Sequence, residues 1–182
     1  KSSGKQGYEI AKTLSENGFD TTLISGPVNL NSAKGINLIK VRSANEMLEA
    51  TLNNLPTDVA IFSAAVGDFK IKNIKKDKIK KNKISELSLE KNTDILGHIS
   101  NHNSLRPKLV VGFAAETNSL KKNSLKKLSE KNCDWIIAND ITKNDIGFES
   151  DFNKVSIYYK NKFEENLPKM KKSSLAIEIV NR

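Results

Sequence analysis

DVAIFSAAVGDFKIKNIKKDKIKK, residues Asp58–Lys81, is the stretch that decides the fold. Its first part, to Ser63, is a short apolar run of aliphatic and aromatic residues, the pattern of a strand buried in a parallel sheet. Ala64, Ala65 and Gly67 follow, small residues beside which a backbone can approach a ligand closely. Asp68 then supplies one carboxylate, suited to accept hydrogen bonds or face a metal. From Lys70 to Lys81 lysine is dense and large apolar residues are few. A buried strand that opens into small residues, a carboxylate and many cations points to a polyanionic ligand, a nucleoside triphosphate or a phosphorylated metabolite.

Strands and helices alternate on both sides of this stretch. Upstream, Gly7–Asn17 predicts a helix with Ile10, Ala11 and Leu14 on one face and Gly18 as its stop. Ser2, Ser3, Gly4 and Gly7 stand at its start, where free backbone N–H groups and the helix dipole favour an anion. A glycine loop of this kind normally follows a strand, so the chain is expected to be a piece of a longer one. Thr21–Ser25 and Asn37–Val41 predict strands, the first ending in the turn Gly26-Pro27. Ser43 and Glu46 form a capping box ahead of a helix over Ala44–Asn53. Downstream, Ile84–Leu89 alternates and predicts a short strand or part of a flap. Asp94–His102 predicts a short helix, Leu109–Phe113 a strand, and Ser119–Asn132 an amphipathic helix with Leu120, Leu125 and Leu128 inward. Trp135–Ala138 and Lys154–Tyr159 predict strands, the second at a sheet edge, and Ser173–Val180 a closing helix with Leu175, Ile179 and Val180 on its apolar side.

That alternation predicts an α/β fold, a parallel sheet with helices on both faces, plus a lysine-rich flap over about residues 70–90. Ligands of such sheets sit at the carboxyl ends of the strands, which gathers Gly26, Ala64–Asp68, Phe113–Glu116 and Asn139-Asp140 along one rim. The 182 residues are read as one domain. The net charge of +9, from 30 Lys and Arg against 21 Asp and Glu, raises nucleic acid as a partner. Lys, Asn and Ile are abundant throughout, however, so the charge reads as solvated surface and no nucleic-acid partner is expected. The single Cys133 excludes an internal disulfide and fits a reducing, cytoplasmic setting; it reads as a buried structural thiol. No apolar run approaches the ~20 residues of a membrane span, and no membrane partner is expected. His98 and His102 lie four apart on a predicted helix, but without a third ligand nearby they read as ordinary surface residues rather than a metal site.

Seven motifs occur in order: SSGKQG near the start, LISGPVNL at 23–30, AAVGDF at 64–69, DKIKK at 77–81, KNTDIL at 91–96, VVGFAAET at 110–117 and AND at 138–140. Together they resemble the bacterial phosphopantothenoylcysteine synthetase family, the C-terminal half of a bifunctional coenzyme A biosynthesis flavoprotein. The resemblance implies a Rossmann-like fold and a homodimer that uses CTP, Mg²⁺, 4′-phosphopantothenate and L-cysteine. FMN would belong only to the missing decarboxylase half. It implies that the carboxylate of phosphopantothenate attacks CTP, giving an acyl-cytidylate, from which cysteine's amine displaces CMP. The family's catalytic lysine falls on Lys78; the residues alone give it no preference over Lys80. The nucleotide contacts fall on Ser63, Ala64, Asp68, Lys78, Thr93, Asp94, Ile95, Leu96, Phe113, Lys127 and Lys131. Substrate contacts fall on Ser2, Ser3, Gly4 and Ala65, and no metal ligand is assigned. Asp68 alternatively caps a turn, Phe113 alternatively packs as core, and the i, i+4 pair Lys127 and Lys131 alternatively forms a solvated face.

The chain departs from the family pattern at Gly67, where Ala is commoner, and at Thr93, where Pro is commoner. The family's asparagine would fall immediately before Lys1 and an arginine further upstream, so this chain is expected to bind CTP but to form the amide poorly. Two other readings stay open. A dinucleotide-dependent oxidoreductase would share the fold, although no GxGxxG is present and Ser25-Gly26-Pro27 stands where an acidic residue belongs. A basic nucleic-acid-binding module would show salt-steep binding.

Overall fold

A computed structural model of the chain describes residues 2–72, 86–140 and 150–182. The elements run α1 (Lys5–Glu16), β1 (Thr21–Ser25), β2 (Ile36–Lys40), α2 (Ala44–Leu52), β3 (Val59–Phe62), β4 (Phe69–Ile71), β5 (Leu89–Lys91), α3 (Ile95–Ser100), β6 (Leu109–Glu116), α4 (Leu120–Glu130), β7 (Trp135–Asp140), β8 (Phe152–Asn153), β9 (Val155–Tyr159), β10 (Glu164–Asn166), β11 (Met170–Lys171) and α5 (Lys172–Val180). The centre of the predicted flap, residues 73–85, lies outside the described residues and includes Lys78 and Lys80. Its root is described: β4 and β5 pair antiparallel, with Phe69 opposite Lys91.

The main sheet has the order β10-β9-β7-β6-β3. β3, β6 and β7 are parallel, in the register Val59 opposite Leu109 and Val111 opposite Trp135. β9 then runs antiparallel to β7, and β10 antiparallel to β9. A parallel pairing needs a long crossover, usually a helix; the described residues between β7 and β9 contain none. β9 is therefore an interior strand, a correction to the edge position expected for Lys154–Tyr159. The true edge, Glu-Glu-Asn of β10, is short and acidic, as exposed edges tend to be, and carries no apolar signal. β1 and β2 pair parallel in a separate two-stranded sheet.

β6 and β7 explain the layering. Alternate side chains of a strand point to opposite faces. Val111 and Ile137 join Ile10 of α1 and Leu175, Ala176 and Ile179 of α5 in one apolar cluster. Val110, Ala114, Ile136 and Ala138 join Leu128 of α4 and Cys133 in the other. The sheet is thus covered on both faces, as the α/β reading requires. Leu128 points inward, but Leu125 is exposed, so only part of the expected α4 stripe is buried. Both central strands run further than expected, because Ala114, Ala115 and Glu116 keep pairing with Ala138, Asn139 and Asp140. Propensity weakens at these residues, yet the ladder continues and carries polar groups to the rim.

Polar ties fix the elements at their ends. The expected capping box forms at α2: the Glu46 N–H donates to Ser43 Oγ at 3.2 Å, and the Arg42 N–H donates to Glu46 Oε2 at 2.9 Å. That backbone bond, with the Ser43 hydroxyl, holds the Glu46 carboxyl below its ordinary value. At the opposite end of the sheet from the rim, Arg106 donates to the carbonyls of Ser100 and Asn132 and to Asp134 Oδ2 at 3.0 Å. Asp134 also accepts the Val110 N–H at 2.8 Å.

Cys133 is fully buried, and burial pushes its thiol up to about 11. The native thiol is expected to resist alkylation at pH 8 and to react promptly once urea unfolds the chain. The sign of its linkage to stability follows, since the folded state binds the proton more tightly. Its stabilisation is complete below the ordinary thiol value of 9.0 and falls as pH rises toward about 11. Labelling of the native chain at pH 8 as fast as that of the unfolded chain would contradict this placement.

Candidate active site

At the carboxyl ends of β1, β3, β6 and β7 the chain leaves a cavity of about 510 Å³. Its walls come from five places: Leu23–Val28 at the end of β1, Val41–Ala44 with Met47 at the start of α2, Ser63–Gly67 after β3, Phe113–Ala115 of β6, and Ser2–Tyr8 at the start of α1. Asn139, Asn153 and Lys172 also line it. The positive end of α1 therefore stands at a pocket rimmed by small residues, an arrangement that favours a bound anion.

Glycine is required twice in the α1 wall. Gly4 holds φ at +76°, in the left-handed region, as it turns the chain into the helix. At Gly7 a Cβ would lie 2.7 Å from Ser63 Oγ, so α1 seats against the end of β3 only because no side chain intervenes. The Tyr8 hydroxyl reaches across to Ser25 Oγ at 3.1 Å and ties α1 to the end of β1.

The expected site residues divide into two groups. Ser2, Ser3, Gly4, Ser63, Ala64, Ala65 and Phe113 all line the cavity. Phe113 also packs against the α1/α5 cluster, so its two readings meet in one residue. Asp68 is exposed and is not part of the lining; its backbone carbonyl accepts the Asn92 N–H at 2.9 Å, which joins the flap root to the segment before α3. Thr93, Asp94, Ile95, Leu96, Lys127 and Lys131 lie on the α3/α4 side of the sheet. There Lys131 Nζ meets Asp94 Oδ2 at 2.5 Å, and Lys127 Nζ meets Glu116 Oε1 at 2.7 Å. Asn123 Nδ2 donates to the other oxygen of Glu116 at 3.0 Å. Ile95 is core and Leu96 packs over Gly112, so α3 offers a ligand its main chain rather than those two side chains. The two groups meet at β6, whose end turns Phe113 to one face and Glu116 to the other.

Among the described residues no group of three or more His, Cys, Asp or Glu could hold a metal ion. His102 Nδ1 instead accepts the Leu105 N–H at 3.1 Å, closing a loop. Sequence reasoning missed Tyr8, Asn153 and Lys172. Lys172 did leave a signal: with Leu175, Ala176 and Ile179 it falls at i, i+3, i+4 and i+7 of α5, inside the apolar stripe. It is only 5% exposed. Burial lowers its pKa first and the nearby Lys5 lowers it further, while Asp151 acts in the opposite direction. Lys5 itself pairs with Asp151 at 2.5 Å and holds that carboxyl below its usual range.

The chain is thus a layered α/β domain with a rim cavity beside a glycine-bounded helix start. The match to known proteins is specific: over residues 1–182 the chain belongs to the DNA/pantothenate metabolism flavoprotein C-terminal domain family. The coenzyme A biosynthesis bifunctional protein CoaBC of Borreliella burgdorferi is 43% identical over 183 residues, covering 98% of this chain and 45% of the relative. The CoaBC of Bacillus subtilis is 39% identical, covering 99% of this chain and 45% of its own length. The chain thus spans about half the length of these curated relatives. A crystal structure of the C-terminal domain of a CoaBC superposes with a TM-score of 0.80 at 34% identity, over 99% of this chain and 81% of that one. The fold is accordingly Rossmann-like, with the antiparallel β9–β10 extension described above.

The close seat of α1 yields a direct test. Gly7→Val is expected to destabilise the chain by about 1–3 kcal/mol through overpacking against Ser63, read from its urea midpoint. An unchanged midpoint would mean that α1 does not pack against the end of β3 as described.

Proposed function

We propose that this chain is a phosphopantothenate–cysteine ligase that activates its acid with CTP in coenzyme A biosynthesis. The observation that carries the reading is the rim cavity, on which the SSG loop, Ser63–Ala65 and Phe113 converge in a chain similar to CoaBC over its whole length. The carboxylate of 4′-phosphopantothenate attacks the α-phosphorus of CTP. A carboxyl-oxygen–phosphorus bond forms, the bond to the β-phosphate oxygen breaks, and pyrophosphate leaves. The amine of L-cysteine then attacks the acyl carbon; the new C–N bond expels CMP, and the amine's proton passes to solvent.

The chain's own residues bind and orient. The α1 start presents amides to an anion, Ser63–Ala65 let the reacting groups approach closely, and Phe113 walls the cavity against water. Lys127 and Lys131 on α4 contact the nucleotide with the main chain of Thr93–Leu96, exchanging part of their pairing with Glu116 and Asp94. Lys78 stabilises charge on the leaving pyrophosphate. Mg²⁺ neutralises triphosphate charge when bound; it commonly takes its ligands largely from water and substrate phosphates with one or two carboxylates, which suits a site where Asp68 is the nearby candidate. A homodimer and a cytoplasmic location belong to the same reading. FMN would serve the decarboxylase half of a bifunctional protein and has no assigned residue here. The oxidoreductase reading is weaker, because the cavity wall after β1 is Ser25–Val28 and holds no carboxylate for a ribose.

Two measurements test this. Calorimetry on the chain with Mg²⁺ is expected to give tighter binding for CTP than for ATP, GTP or UTP; no nucleotide binding at all would overturn the reading. Lys78→Gln is expected to slow CTP-dependent pyrophosphate release by ~10²–10³ without altering the melting temperature. Release at the wild-type rate would remove Lys78 from the mechanism.

A further inference from the structure

We propose that Asn139 is a specificity-determining residue whose side-chain amide reads a neutral amide or hydroxyl group of the acid substrate in the rim cavity. This rests on the cavity being the ligand site of the reading above, and it adds a residue which that reading does not use.

Asn139 stands one residue from the end of β7 and lines the cavity, yet it is only 8% exposed. It follows Ile137 by two residues, so it shares the face on which Ile137 packs toward α1 and α5. Its partners across the ladder, Ala115 on β6 and Val155 on β9, have no polar side-chain atom to offer. Its side chain makes no hydrogen bond among the described residues. A buried amide is almost always bonded, and leaving one unmet is costly. An aliphatic residue here would simply extend the Ile137 cluster. The amide therefore weakens the fold and calls for a partner that these neighbours do not supply.

Asn153 repeats the pattern. It lines the same cavity at 5% exposure. Its Oδ1 accepts the Lys154 N–H at 3.0 Å, which orients the amide and leaves the Nδ2 donor without a partner among the described residues. Two uncharged, buried amides thus stand at one cavity. A carboxamide gives hydrogen bonds through Nδ2 and takes them through Oδ1. An ionised phosphate or carboxylate has only acceptors and would leave Oδ1 of Asn139 unmet. A secondary amide or a hydroxyl carries both a donor and an acceptor and matches both ends. The nucleotide contacts of the reading above, Thr93–Leu96, Lys127 and Lys131, lie on the α3/α4 side, whereas Asn139 shares the α1/α5 face with Ile137. The group read is therefore one of the acid: phosphopantothenate carries a secondary amide and a hydroxyl between its phosphate and its carboxylate. A site built to bond such a group rejects an analogue that lacks it, because the protein's own polar atoms are then left unpaired.

The test uses Asn139→Leu in the 182-residue chain. Dissociation constants are measured by calorimetry, with Mg²⁺ and a non-hydrolysable CTP analogue, for three acids. These are phosphopantothenate, its ester analogue with oxygen in place of the amide N–H, and its deoxy analogue without the hydroxyl. The wild-type chain is expected to bind phosphopantothenate about tenfold or more tighter than one of the two analogues. Asn139→Leu should bind that pair within about twofold of each other, with its affinity for the CTP analogue changed by less than about twofold. The analogue whose discrimination disappears names the group that is read. The melting temperature of the ligand-free variant should hold or rise, since no internal bond is lost. Equal discrimination in wild type and variant, or none in the wild type, would overturn the proposal and leave the functional reading standing. A lower melting temperature with weaker binding of acid and nucleotide alike would also overturn it, by making Asn139 a structural residue. Absence of binding of the CTP analogue and of all three acids in the wild type would sink the functional reading and the proposal with it. Should Asn139→Leu fail to fold, Asn139→Ala is held to the same outcomes.

Discussion

β6 is covered on both faces, and the alternation of its side chains organises the molecule. Val111 and Phe113 face α1 and α5, while Val110, Ala114 and Glu116 face α3 and α4. No helix can shift on one face without disturbing a strand whose backbone is bonded to β3 and β7 on its two edges. Interiors packed in this way transmit displacement instead of absorbing it. The end of β6 is consequently a rigid reference for the rim, and the cavity and the paired lysines of α4 are positioned from the same few residues.

The charge arrangement follows from that frame. On the α3/α4 side each α4 lysine discussed here has a carboxylate: Glu116 for Lys127 and Asp94 for Lys131. Glu116 is well buried and tied to Asn123, so that pair holds its geometry better than an ordinary surface ion pair. On the α1/α5 side, cations accumulate at helix starts, where intrinsic electrostatics oppose them. There Lys5 pairs with Asp151, so both faces that meet at the end of β6 carry cations held by carboxylates.

The sequence shows much of this because local pattern and tertiary role agree along most of the chain. Leu109–Phe113 is an apolar run that forms a largely buried strand, Ser43 and Glu46 announce α2, and Gly18 ends α1 in a left-handed turn; Val59–Phe62, expected to be buried, is instead the half-exposed end strand of the main sheet. The motifs placed the cavity walls. What escaped lacks a local signature. β10 is polar because it is an edge, and its lack of an apolar pattern leaves β9 looking like the last strand. The extension of β6 and β7 to Glu116 and Asp140 depends on their mutual ladder, which neither segment shows alone. Asp68 follows an expected strand but is exposed, while its neighbours Gly67 and Phe69 line the cavity. Lys172 was hidden by its neighbours, one lysine among many in KMKKSS, and only its place in the α5 stripe distinguishes it.

On the proposed reading the rim cavity is the ligand site, and the start of α1, the β3 end and the β6 end close around the same molecule. Hydrogen exchange on the chain, with and without CTP and Mg²⁺, addresses this most directly. The account predicts slowed exchange at Gly4–Tyr8, Ser63–Gly67 and Phe113–Ala115 together, over and above changes at Thr93–Leu96. Protection confined to segments away from these three, or none at saturating CTP, would contradict it.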